Sequence, residues 1–146
     1  MEANIAAINC TPFRSVLDEI VEQLLSLRES DEEEFLRESA HQSGALPRSL
    51  RSDFSLFKLN GNDDGVLLLS GLSNEAGAEA RKISDALLAL VGGHYGELVG
   101  YQQERNGDLF HDIAPTRNDE FEQSAGSSTV PLAFHTECCF HPYLPD

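Results

Sequence analysis

A chain of 146 residues with 40% hydrophobic side chains is long enough to bury one core and too apolar for a disordered polypeptide. Its formal net charge of -15, from 25 acidic against 10 basic residues, argues against nucleic acid or an anionic membrane as partner, because phosphate binding is driven by Lys and Arg. Three cysteines, an N-terminus without a secretory signal and no apolar run of bilayer length argue against a disulfide framework and a membrane span, and predict reduced thiols in a cytoplasmic protein.

Thr11 and Pro12 read as the start of a helix, Thr11 as N-cap and Pro12 at the first helical position, where its missing N-H costs nothing. Phe13, Val16, Leu17, Ile20, Val21, Leu24 and Leu25 follow at helical spacing and define one apolar stripe. Ser30 with Glu33 fits a capping box for a second, more acidic helix that carries Phe35 and Leu36 and ends before Gly44. The run Asp31 to Glu34 reads as a solvated face. Pro47 closes that section.

A turn at Gly61 to Asp64 leads to the apolar run Val66 to Leu69, which suits a short strand buried on both faces. Glu75 to Leu90, rich in Ala and Leu, predicts a helix packed on the sheet and stopped by Gly92 and Gly93. Beyond it, Leu98 to Tyr101, Leu109 to Ile113 and Val130 to Phe134 are expected as strands, separated by Asn106-Gly107 and by the Ser/Gly-rich stretch Ser124 to Thr129. Residues 1–60 are thus mainly helical. Residues 61–146 are mixed, and the whole is expected to form part of a single domain of the α+β class.

The chemistry concentrates near the C-terminal end, in Phe134-His135-Thr136-Glu137-Cys138-Cys139-Phe140-His141-Pro142. In a strand His135 and Glu137 project from the same face, so an imidazole and a carboxylate can take two corners of one metal ion. With one further His they would make the facial triad that suits Fe(II). Zinc competes through His135, Cys138, Cys139 and His141, but adjacent cysteines do not readily close one tetrahedron. A Cys-His nucleophile would need a thiol activated by a neighbouring cation or helix N-terminus, which nothing in the spacing implies. His111 and Asp112 would face opposite sides of a strand and so do not share a metal. Gln102, Gln103 and Glu104 interrupt strand-like surroundings, and any of them that points inward requires a polar partner or ligand.

Taken together, Tyr101-Gln102-Gln103-Glu104-Arg105-Asn106-Gly107, then Asp112-Ile113-Ala114-Pro115, then Ser124-Ala125-Gly126-Ser127, then His135-Thr136-Glu137 with Phe140-His141-Pro142-Tyr143-Leu144-Pro145-Asp146, resemble the clavaminate synthase-like branch of the Fe(II)/2-oxoglutarate-dependent dioxygenases. That branch includes hydroxylases of free amino acids. The resemblance implies helices packed on a double-stranded β-helix, or jelly roll, incomplete in this chain. It implies His135 and Glu137 as the first two metal ligands, Glu104 and Ser124 as contacts to an amino-acid substrate, and Fe(II) with 2-oxoglutarate as cofactor and co-substrate. The family's distal His ligand and its 2-oxoglutarate-binding Arg come much later in the chain and have no match before Asp146. The sequence is therefore expected to be an N-terminal fragment, inactive alone, with a pseudoenzyme fragment or a zinc-binding structural domain as the competing readings. It leaves the amino acid, the carbon oxidised and the oligomeric state open.

Overall fold

The computed structural model describes residues 6–72, 78–100 and 105–111, in two compact units divided after Val99. The first unit runs β1 (Ala6–Asn9), a 3-10 turn (Thr11–Phe13), α1 (Arg14–Arg28), α2 (Glu32–Ser43), α3 (Arg48–Asn60), β2 (Leu67–Ser70) and α4 (Ala78–Tyr95). The described part of the second contains a single 3-10 turn at Arg105–Gly107. The observed class is helix-rich α+β, with one two-stranded sheet among the described residues.

Helix α1 forms where its apolar residues recur at one face. Leu17, Ile20, Val21 and Leu24 are buried, whereas Val16 at the margin of the stripe is 38% exposed. Each buried aliphatic side chain contributes about 1.5–3 kcal/mol relative to exposure, so this face holds the helix down more firmly than its propensity does. The entry differs by a residue or two from the expectation for Thr11. The Asn9 side chain accepts the Thr11 N-H at 3.0 Å, Pro12 lies inside the 3-10 turn, and the α-helix proper begins at Arg14.

At α2 the cap is Asp31 rather than Ser30: the Asp31 carboxylate accepts the Glu34 N-H at 3.0 Å. Ser30 instead donates back to carbonyls of the α1 terminus, Ser26 at 3.2 Å and Leu27 at 3.3 Å. The acidic run thus has a structural use, since Glu32, Glu33 and Glu34 fill the first turn of α2, where the helix dipole favours negative charge.

Helices α2 and α4 make the most extensive helix pair of the unit. Its geometry follows from small residues. Ala86, Ala89 and Leu90 of α4 are buried, and so are Ser39 and Ser43 of α2, whose hydroxyls donate to Phe35 and Ala40 carbonyls at 2.7 Å. Gly92 and Gly93 do not stop α4, which continues to Tyr95. A Cβ at Gly93 would lie 2.8 Å from the Ala40 Cα, so this glycine serves close helix approach instead of termination. The contact overrides the local helix-stop signal, a case of packing winning over propensity. Phe35 fills the junction, and Arg28 lies over its ring at 5.6 Å while reaching Asp85 of α4 at 3.4 Å.

The section after Pro47 contains α3, which was not anticipated; Leu50 and Phe54 bury one turn apart on its inner face, and Pro47 is its N-cap. Gly61, at φ 62°, ends it. Asn62 then clamps the turn by bonding both the N-H and the carbonyl of Val66. The Val66 to Leu69 strand exists, displaced by one residue, and pairs in parallel with β1 in the register Ala6 with Leu67 through Asn9 with Ser70. Its burial alternates and Leu68 is 52% exposed, so the expectation of burial on both faces does not hold for β2. Leu98 to Gly100 and Leu109 to His111 are not strands, and the remainder of those two predicted strands lies outside the described residues. The same holds for Val130 to Phe134, and the described architecture contains no jelly roll.

Candidate functional site

The candidate metal ligands His135 and Glu137, the substrate contacts Glu104 and Ser124, and the competing Cys138, Cys139 and His141 all lie outside the described residues. Among the described residues no group of three His, Cys, Asp or Glu side chains could hold a metal ion. His111 is exposed, whereas its neighbour Asp112 lies outside the described part. The third cysteine, Cys10, is fully buried beside β1, and burial pushes its thiol pKa up, which suppresses the thiolate and suits an inert packing residue.

Immediately after Glu104 the structure shows how the backbone is turned. Asn106 has φ 61° and ψ 23°, Gly107 has φ 86°, and both therefore sit in the left-handed region that Asn and Gly tolerate best. Gly100 approaches so closely that a Cβ there would be 2.0 Å from the Gly107 carbonyl oxygen. Gly100 and Gly107 thus lie in close backbone contact, while Gln102, Gln103 and Glu104 are outside the described residues. The Asn-Gly signal was legible in the sequence, while the need for glycine at position 100 was not.

Two open grooves mark the first unit. One, of about 570 Å³, runs between α2 and the end of α4 and is lined by Glu33, Leu36, Arg37, Gly93, Glu97 and Leu98, among others. The other, of about 510 Å³, lies between β1 and α3, with Ile8, Asp53, Leu56, Phe57 and Leu67 in its walls. Neither brings together an acid, a base and a nucleophile. A third cluster was missed by sequence reasoning: His94 in the last turn of α4 bonds Ser55 of α3, Nε2 to Oγ 3.2 Å, with the Phe54 and Tyr95 rings against the imidazole. Only the α3 helix, itself unanticipated, brings these residues together.

No family model matches the chain. It is, however, 31% identical over 152 residues to clavaminate synthase 2 of Streptomyces clavuligerus, across 95% of this chain and 46% of that protein. It is 30% identical over 129 residues to L-asparagine oxygenase of Streptomyces coelicolor, across 80% of this chain and 38% of the relative. With L-lysine 3-hydroxylase of Catenulispora acidiphila the identity is 26% over 124 residues, 77% of this chain and 35% of the relative. The class so defined is that of oxygenases and hydroxylases of amino acids. Within it, these similarities support the clavaminate synthase-like family of amino-acid hydroxylases. It spans less than half the length of these relatives.

Proposed function

We infer that this chain carries part of an Fe(II)- and 2-oxoglutarate-dependent oxygenase that hydroxylates a free amino acid or a derivative of one. The observation that supports this best is the similarity across 95% of the chain to clavaminate synthase 2, together with the His135-Thr136-Glu137 motif. The donor set fits the metal, since a neutral imidazole and a carboxylate two residues apart, completed by one more His, is the set that Fe(II) oxygenases use. When bound, iron with 2-oxoglutarate supplies the oxidising equivalents for hydroxylation.

The chain's own residues would act on position and charge. His135 binds through a ring nitrogen and must be deprotonated there, so loading weakens as pH falls through the His range. Glu137 contributes a negative charge that offsets the metal's. The Glu104 carboxylate would accept the ammonium of the amino acid in a charge-assisted bond, and the Ser124 hydroxyl would complete the polar contacts.

The test is a Co(II) titration of the 146-residue chain, followed by its visible spectrum and by calorimetry, with His135→Ala and Glu137→Ala alongside. Weak binding is expected, because two protein ligands leave most positions to water, and each substitution should reduce it further. Tight binding that survives His135→Ala but disappears when Cys138 and Cys139 are replaced would turn the assignment to zinc. These 146 residues alone are expected not to release succinate from 2-oxoglutarate with any amino acid, since neither the distal His nor the Arg is matched within them. Amino-acid-dependent succinate release would show that the ligand set is complete after all.

A further inference from the structure

Helices α2 and α4 touch where Gly93 meets Ala40, and beside that contact the surface opens into the groove of about 570 Å³. A Cβ at Gly96 would meet nothing within 4 Å, so the groove reaches down to the backbone there. Its apolar wall is built by Leu36, one turn before Ala40, and by Leu98, whose Cδ2 folds back to within 2.7 Å of where a Cβ at Gly92 would stand. Both leucines are half-buried, so part of each side chain faces the open space. Three charges line the same groove: the carboxylates of Glu33 and Glu97 and the guanidinium of Arg37. Among the described residues no ion pair engages Glu33 or Glu97. Arg37 bonds Glu34, with 74% of the Arg37 side chain in solvent. An ion pair so exposed contributes little, and the guanidinium is free to turn to a better-placed anion.

We propose that this groove binds a free α-amino acid with a cationic side chain, at a site that uses none of the candidate iron ligands. The charges are complementary: two carboxylates and one guanidinium in the groove stand against two cations and one carboxylate on such a ligand. Arg37 takes the ligand carboxylate through its planar fork, and Glu33 and Glu97 take the two cationic ends. The methylene spine between those ends lies along Leu36 and Leu98, which removes apolar surface of both partners from water. A diamine leaves Arg37 without its anion, and a neutral apolar amino acid leaves one carboxylate unmatched. The net charge of -15 attracts a ligand of net positive charge from a distance, and salt weakens that attraction. The groove is open, so the bound ligand exchanges fast. No metal takes part, and binding is the same whether or not iron is held at His135 and Glu137.

Titration of the metal-free full chain with L-lysine, followed by NMR at the Leu36 and Leu98 methyls and the Gly96 amide, tests the site apart from the iron chemistry. The three signals are expected to move along one saturable curve. Cadaverine, which lacks the carboxylate, and L-norleucine, which lacks the side-chain cation, should each bind roughly tenfold more weakly, as each forfeits one charge-assisted contact. Gly96→Leu puts a side chain into the open groove at a residue whose φ is not positive, and should abolish lysine binding. Should that variant fail to fold, Arg37→Gln decides: at this exposed position it should erase the preference for lysine over cadaverine. Cadaverine binding as tightly as lysine to the unsubstituted chain would reduce the effect to cations collecting on an acidic surface and overturn the site. Shifts that never saturate, lysine binding unchanged in Gly96→Leu, or a preference that survives Arg37→Gln would each overturn it as well.

Discussion

At single residues the adjacent glycines of α4 separate two effects that usually act together. Alanine at either position gains roughly 0.5–1 kcal/mol through reduced chain entropy and better helix propensity. At Gly93 that gain is overridden, because the new Cβ would lie 2.8 Å from the Ala40 Cα and 3.1 Å from its nitrogen, both backbone atoms that move only with helix α2. Overpacking of this kind costs about 1–3 kcal/mol. At Gly92 the near atom is the Leu98 Cδ2 at 2.7 Å, the far end of a flexible side chain. Gly93→Ala is therefore expected to lower the urea midpoint and Gly92→Ala to leave it level or raise it. Equal effects at the two positions would show that α2 and α4 are not as closely packed as the geometry has them.

For elements, the decisive case is the start of α2. A capping-box pattern points to Ser30, yet the carboxylate that reaches the helix N-H groups belongs to Asp31, whose backbone is extended at φ -155°. The reason is that the Ser30 and Asp31 N-H groups both still bond the Leu27 carbonyl of α1 at 3.0 Å, so Asp31, with its extended backbone, is where the chain leaves α1 and enters α2. Replacing Asp31 by Ala should cost about 1 kcal/mol, the usual worth of a lost cap. Ser30→Ala should cost a few tenths at most, as its hydroxyl bonds are exposed and local. Chemical denaturation of the two variants checks this, and the reverse order of losses would return the cap to Ser30.

For the molecule as a whole, charge is the quantity that sets conditions. With 25 acids against 10 bases, self-repulsion opposes compaction, and salt screens it over a Debye length of about 10 Å at 0.1 M. The ion pairs act in the other direction, but Arg14 with Asp18, Lys82 with Glu29 and Arg37 with Glu34 are exposed and contribute little each. Raising NaCl from low concentration to about 0.5 M is thus expected to raise the unfolding midpoint. A fall would mean that the ion pairs, with Arg28 and Asp85 foremost, outweigh the net repulsion.

The sequence by itself determined what depends on neighbours three or four positions apart, or on composition. The buried stripe of α1, the end of α2 before Gly44, the strand after Gly61 and the family were all legible in it, the last because the order of motifs survives divergence. His135 and Glu137 were candidates through residue type and spacing, Glu104 and Ser124 only through the resemblance, and all four lie outside the described residues. What only the tertiary structure decided depends on atoms far apart in the chain. β1 is too short to announce itself and exists through its parallel pairing with β2, and α3 hides behind a proline that looks like an ending. Gly93 reads as part of a stop until Ala40 lies against it, since a glycine's missing Cβ means termination or close approach according to what stands opposite it. Ser55 and His94, 39 positions apart, carry no pattern and become a pair only when α3 folds onto α4.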